Sequence, residues 1–199
     1  MIIHLILAII AFGVLHPGNT IAGDVQRLRE VPNEAKVLQA KILPHVQPSV
    51  QRWINEMAKS LSQEKGEYIG LQPAIQSRFK GQSLKAEMKT SIEILVLMQA
   101  IKYMDDDIQA TTGKLRGREK QKKDLEARIR YEQDKVTIEP AKSLIDDLKG
   151  RLDGMNEMSE MTSLRLQMTM DRRSKFISTL SQIMKKISTT QDILIQNIK

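Results

Sequence analysis

Residues 176–199 read FISTLSQIMKKISTTQDILIQNIK, and this stretch decides the fold class. Apolar side chains recur in it every three or four positions, with only Gln191 interrupting, which places them on one face of an α-helix. The face consists of Ile177, Leu180, Met184, Ile187, Leu194 and Ile198. Phe176 and Ile183 widen it beyond a two-position seam, so the helix is expected to be buried against other helices.

A second apolar stretch predicts the partner of this helix. Nearly every position between Ile92 and Ile101 is apolar, and the run is too short to cross a bilayer, which takes roughly 20 residues. We therefore expect it to be surrounded by other helices. Aromatic residues make up only 4% of the chain, which favours helix-on-helix packing over a β-sandwich. The predicted class is all-α, a helical bundle or a long antiparallel helical hairpin with coiled-coil character, in which residues 92–108 and 166–198 pack together.

The N-terminal residues resemble an export signal. Residues 2–15 are almost continuously apolar, and Thr20 and Ala22 supply the small residues that a signal peptidase reads. No Lys or Arg precedes the apolar run. We predict a signal peptide over residues 1–22 that is cleaved after Ala22, with export to the periplasm or the cell exterior. An uncleaved membrane anchor and a buried N-terminal helix are the alternatives. Residues 23–48 are predicted to form an N-terminal arm, and residues 49–199 a helical domain.

Glycines and a proline predict where the long helices break. Gly113 and Gly117 indicate a turn or a frayed tip, after which a helix restarts near Glu119 and continues to about residue 135. Pro140 marks a break or the first turn of the next helix. Gly150 and Gly154 interrupt the apolar pattern that follows, so the sequence leaves open whether residues 140–199 form one helix or two.

Residues 114–130 form a basic tip in this prediction. The chain has a formal charge of +7, and this segment carries eight basic residues, Lys114, Arg116, Arg118, Lys120, Lys122, Lys123, Arg128 and Arg130, against three acidic ones. They form either a solvated tip or a docking patch for anionic lipid, an anionic polymer or an acidic protein. Export makes nucleic acid an unsuitable target, and the segment lacks the interleaved aromatics of single-strand binders.

No constellation for catalysis or cofactor binding is evident in the sequence. Two of the three histidines, His4 and His16, lie in the predicted signal peptide, and the chain has no cysteine. The sequence therefore predicts no enzyme, no metal, no cofactor and no small-molecule substrate. The three consecutive residues 105–107 are aspartates, which we interpret as a solvated helix face. The methionines between residues 155 and 170 are interpreted as flexible core filler, with an adaptable binding face as the alternative.

The helical stripe also supplies candidates for self-association with a second copy. These residues are Leu166, Met170, Ile177, Leu180, Met184, Ile187, Leu194 and Ile198.

Two resemblances to known families involve the apolar helices. Residues 158–175 read MSEMTSLRLQMTMDRRSK and, with residues 193–199 and 93–108, resemble segments of an uncharacterised bacterial family of small exported helical proteins. Residues 188–198 also resemble the end of type III secretion needle and filament subunits, whose terminal helix packs inside a polymer. The sequence thus predicts an exported, non-enzymatic structural or interaction protein that binds a protein partner or itself. The alternatives are a subunit or accessory of a secretion or filament assembly, and an envelope-surface binder that uses residues 114–130.

Overall fold

A computed structural model describes residues 30–63, 70–81, 84–134 and 139–187. Within these ranges the chain is helical and contains no strand. The helices are α1 (Asn33–Ile42), α2 (Pro48–Gln63), α3 (Gln72–Arg78), α4 (Ala86–Asp134) and α5 (Glu139–Ile187), and a short 3-10 turn, Leu43–His45, follows α1. The predicted all-α class is confirmed, and its form is one long helical hairpin with three shorter helices at one end.

The shorter helices and the hairpin enclose the main core, which we call the base bundle. Helices α1, α2 and α3 pack against the N-terminal half of α4, and α1 also contacts α5. Every residue from 91 to 98 is buried except Glu93, so α4 is covered on all sides here, as its nearly continuous apolar run predicts. Trp53 of α2 packs edge-on against Phe79, with ring centroids 5.9 Å apart.

The chain enters and leaves α3 through two glycines with left-handed backbone. Gly70 has φ +94° and Gly81 has φ +88°, conformations that strain residues with a Cβ. The two glycines thus flank the short helix and its adjoining turns. Ala35, Leu38 and Ile42 lie within the predicted arm of residues 23–48, and they are buried in the same core as the rest of the base bundle.

The two long helices are each other's main packing partners, as predicted. Phe176, Ile177, Leu180, Met184 and Ile187 of α5 join the buried residues of α4 in one core cluster. The predicted signal peptide over residues 1–22 and the C-terminal segment 188–199 lie outside the described residues.

The predicted turn near Gly113 and Gly117 is wrong, because α4 continues through both glycines to Asp134. A glycine inside a helix disfavours it by only about 1 kcal/mol, and the packing of the neighbouring turns against α5 outweighs this penalty. Residues 114–130 are consequently part of one continuous helix and do not form the tip. Pro140 lies in the first turn of α5, where its missing N–H needs no partner, and α5 runs unbroken through Gly150 and Gly154.

Beyond the base bundle the two long helices continue alone. We call this part the distal hairpin, residues 108–134 of α4 and 139–168 of α5. Its buried apolar residues are few: Ile108, Ile129, Ile145, Leu148 and Leu166. The core cluster that contains α1, α2 and α3 ends on α4 at Met104, so the distal hairpin lies beyond it and each of its two helices has an outer face exposed to solvent.

Candidate binding surface on the distal hairpin

A charged pair joins the long helices at the point where the hairpin leaves the base bundle. The Arg173 Nε atom of α5 donates to the Asp105 Oδ1 atom of α4, and the Arg173 Nη2 atom lies 3.5 Å from Asp105 Oδ2. The Arg173 side chain is 9% exposed and that of Asp105 37% exposed. A largely buried guanidinium needs such a partner. The interpretation of residues 105–107 as a solvated face is therefore wrong for Asp105.

Nearer the tip, Arg118 fixes the spacing of the two helices. Its Nη1 atom donates to the Thr162 Oγ1 atom at 2.6 Å and to the Met158 carbonyl oxygen at 3.0 Å. The Thr162 hydroxyl also donates to that carbonyl at 2.7 Å. This connection from α4 to α5 holds residues 158–162 of α5 in a fixed position. Their other side is available for a different contact.

That other side of α5 carries a row of exposed large apolar residues, which we call the apolar face. Met158 is 54% exposed, Met161 67%, Leu164 63% and Met168 54%. At about 100° per residue the last three of these positions fall on the side of α5 opposite buried residues such as Leu148 and Leu166, and Met158 lies at the edge of that side. The core-filler interpretation is therefore wrong for these three methionines, whereas Met155 and Met170 are half-buried.

Two glycines extend the apolar face toward the tip. Helical spacing places Gly150 and Gly154 in line with Met161 and Met168. A Cβ added at either glycine would meet no atom within 4 Å. Packing within this chain therefore gives no reason for a glycine at these positions. The two glycines therefore leave the backbone of α5 exposed next to the four large apolar side chains.

The eight basic residues predicted to dock anionic partners do not act as one patch. Arg118 and Lys122 are half-buried, and Lys122 lies 3.9 Å from Glu119. The other six are exposed. Four of them are spaced by four, three and seven residues and so share one side of α4; we call Arg116, Lys120, Lys123 and Arg130 the basic face. At about 100° per residue Arg128 lies to the side of this row and Lys114 on nearly the opposite side of α4.

Most of the residues predicted for self-association are used inside the chain. Leu166, Ile177, Leu180, Met184 and Ile187 are buried, and Met170 is half-buried. Leu194 and Ile198 lie outside the described residues. The described residues predicted for self-association thus belong mainly to the side of α5 that packs inside the chain. The signal for an outer apolar side is present in the sequence: Leu164 and Leu166, like Met168 and Met170, are two positions apart and cannot share one helix face.

Other kinds of site are not formed by the described ranges. No group of three or more His, Asp or Glu residues there is placed to hold a metal ion. None of the described helices has an apolar stretch long enough to cross a lipid bilayer.

Comparisons of this chain with protein-family models, with curated proteins and with solved structures found no match.

Proposed function

We propose that the protein is an exported, non-enzymatic helical protein that acts by binding other protein chains through its distal hairpin. The observation that carries this proposal is the apolar face, a group of large apolar side chains on one side of α5, each more than half exposed. Exposed apolar residues are ordinary when they are scattered singly, but a group of them on one side of a helix, here beside the exposed charges of Glu157 and Arg165, is typical of a protein-binding site. Methionine suits such a surface because its unbranched side chain adapts to the partner.

The fold supports this proposal because the exposed apolar residues lie on a hairpin that extends away from the main core. The base bundle contains the large core, and the distal hairpin extends from it with a thin core of its own. The apolar face lies on one continuous helix, α5, so a partner helix can pack along it. The export part of the proposal rests on the signal peptide predicted over residues 1–22.

Photo-crosslinking tests this proposal directly. A photoreactive amino acid is introduced at position 161 of the full chain, and cells expressing the chain are irradiated. The control carries the same amino acid at Gln121, an exposed position on α4 outside both faces. We expect protein adducts, of whatever identity, from position 161 and few from position 121. Absence of adducts at 161, or equal adducts at both positions, would contradict the proposal.

Binding to an anionic surface is a second candidate function, favoured by the basic face. Its four cationic side chains extend along about 21 Å of α4, calculated from the helical rise. An aligned row of this kind can contact a flat surface of phosphate or carboxylate groups simultaneously, at about 1 kcal/mol per residue.

Vesicle co-sedimentation tests the second candidate. The double variant Lys120→Glu, Lys123→Glu is compared with Lys149→Glu, Arg151→Glu, which makes the same charge change at exposed positions of α5. On vesicles of phosphatidylglycerol and phosphatidylcholine we expect the first variant to bind at least ~30-fold more weakly than the second. Equal binding by both variants, or binding that is insensitive to salt, would remove the candidate.

A further inference from the structure

We infer that the partner of the apolar face is a second copy of this chain, with the two α5 helices antiparallel and the twofold axis at Met161. This inference rests on the proposed function and names the partner of the same surface. In the pair, the helices stack in the order α4, α5, α5, α4, and the basic faces stay outside the contact.

Shape complementarity is the first argument. Gly154 and Met168 are equally far along the chain from Met161, on opposite sides of it. An antiparallel pair centred at Met161 therefore brings Met168 of each copy level with Gly154 of the other. Because nothing in its own chain lies within 4 Å of a Cβ at Gly154, that position offers room for the Met168 side chain of the second copy.

This arrangement explains why positions 150 and 154 of α5 are glycines. Each one inside a helix disfavours it by about 1 kcal/mol relative to alanine, and no contact within the chain requires either. Glycine permits close approach of another backbone. Gly150 and Gly154 lie in line with the apolar face, so a second helix that lies along that face passes directly over both.

Charge complementarity is the second argument, and it selects the antiparallel direction. Residues 147–160 carry four acidic and two basic side chains. Residues 162–175 carry one acidic side chain and three basic ones, leaving out Arg173, which is buried in its pair with Asp105. The two segments have equal length and flank Met161. An antiparallel pair places the acidic segment of one copy beside the basic segment of the other. A parallel pair would place like charges together, which is unfavourable.

The symmetry of this contact has a consequence for assembly. A twofold contact uses the same surface on both copies and is closed, so it yields a dimer and does not propagate into a filament. The pair therefore differs from the filament-subunit alternative, in which a head-to-tail contact repeats.

Disulfide trapping tests the register, because the chain contains no cysteine and single cysteines can be introduced cleanly. A cysteine at the axis meets its own copy, so Met161→Cys is expected to form a covalent dimer under mild oxidation. Met168→Cys alone is expected to form none, because its two copies lie about 21 Å apart along the helix axis and a disulfide requires Cα atoms within about 7 Å. A mixture of Met168→Cys with a size-tagged Gly154→Cys is expected to form the mixed disulfide. Self-linked Met168→Cys would indicate a parallel pair and overturn the inference.

Sedimentation equilibrium measures the strength of the pair. The variant Met161→Glu, Leu164→Glu is compared with Gln109→Glu, Gln121→Glu, which adds the same charge to exposed positions of α4. The first is expected to raise the dimer dissociation constant at least ~10-fold relative to the second, because it buries carboxylates in an apolar contact. Circular dichroism is expected to show that both remain folded, because all four substituted positions are exposed.

The outcomes also separate this inference from the proposed function. A wild-type chain that stays monomeric at high concentration overturns self-pairing. If position 161 nevertheless crosslinks to a different protein, the proposed function stands and only the partner is wrong. If position 161 crosslinks to nothing, both fail.

Discussion

The Asp105–Arg173 pair makes a sharp stability prediction. Replacing Asp105 by alanine leaves the Arg173 guanidinium in a site where its side chain is 9% exposed. Removing one partner of a fully buried pair costs about 3–5 kcal/mol. Here the cost is lower, because the Asp105 side chain is 37% exposed and Arg173 makes a further interaction. Hydrogen bonds to charged groups contribute about 1.5–3 kcal/mol, so we expect Asp105→Ala to lower the unfolding free energy by about 2 kcal/mol.

Urea denaturation followed by circular dichroism at the helical band measures this loss. With a slope of roughly 2 kcal/mol per molar urea, the midpoint should fall by about 1 M. Asp106→Ala is the matched control, because Asp106 is the next residue on the same helix and is exposed. Its effect should stay within about 0.5 kcal/mol. Equal midpoints for the two variants would refute the reasoning that the buried guanidinium depends on Asp105.

Three further predictions use the same denaturation assay. Leu180→Ala should cost about 2–5 kcal/mol, because Leu180 is fully buried and the truncation leaves a cavity; a loss under 1 kcal/mol would contradict the core assignment. Thr112→Val should raise stability by about 1 kcal/mol, because the buried Thr112 hydroxyl has no hydrogen-bond partner; a clear loss would show that it has one in solution. Gly154→Ala should stabilise the isolated chain by up to about 1 kcal/mol yet weaken its self-pairing, and tighter pairing would count against the inferred register.

Much of the base bundle could be predicted from the sequence, because burial in a core is the simplest explanation of its apolar patterns. The run from Ile92 to Ile101 is apolar on every side, so any folded state must surround it. The face that includes Leu180 and Met184 has the helical period and is buried as expected. Burial of apolar area contributes about 25 cal/mol per Å², which makes such patterns reliable.

The candidate surface was less predictable, because exposure depends on how many helices are nearby. Met161 and Leu180 both belong to three-four patterns on one helix, yet the first is among the most exposed apolar residues and the second is fully buried. The difference is that α1 to α3 contribute to the core at the base, whereas the buried apolar residues of the distal hairpin come from α4 and α5. The partner of Arg173 was likewise hidden, because Asp105 is 68 residues away along the chain.

The sequence alone determined that this chain is helical and which faces of its helices are apolar, because helical periodicity and the hydrophobic effect act locally along the chain. Only the tertiary structure decided that α4 passes unbroken through Gly113 and Gly117, which apolar residues remain exposed, and which basic residues align. These outcomes depend on contacts between distant segments. Packing between helices outweighs the tendency of a glycine to interrupt a helix. The number of helices packed around each part of the long hairpin determines how much apolar surface remains exposed for a partner.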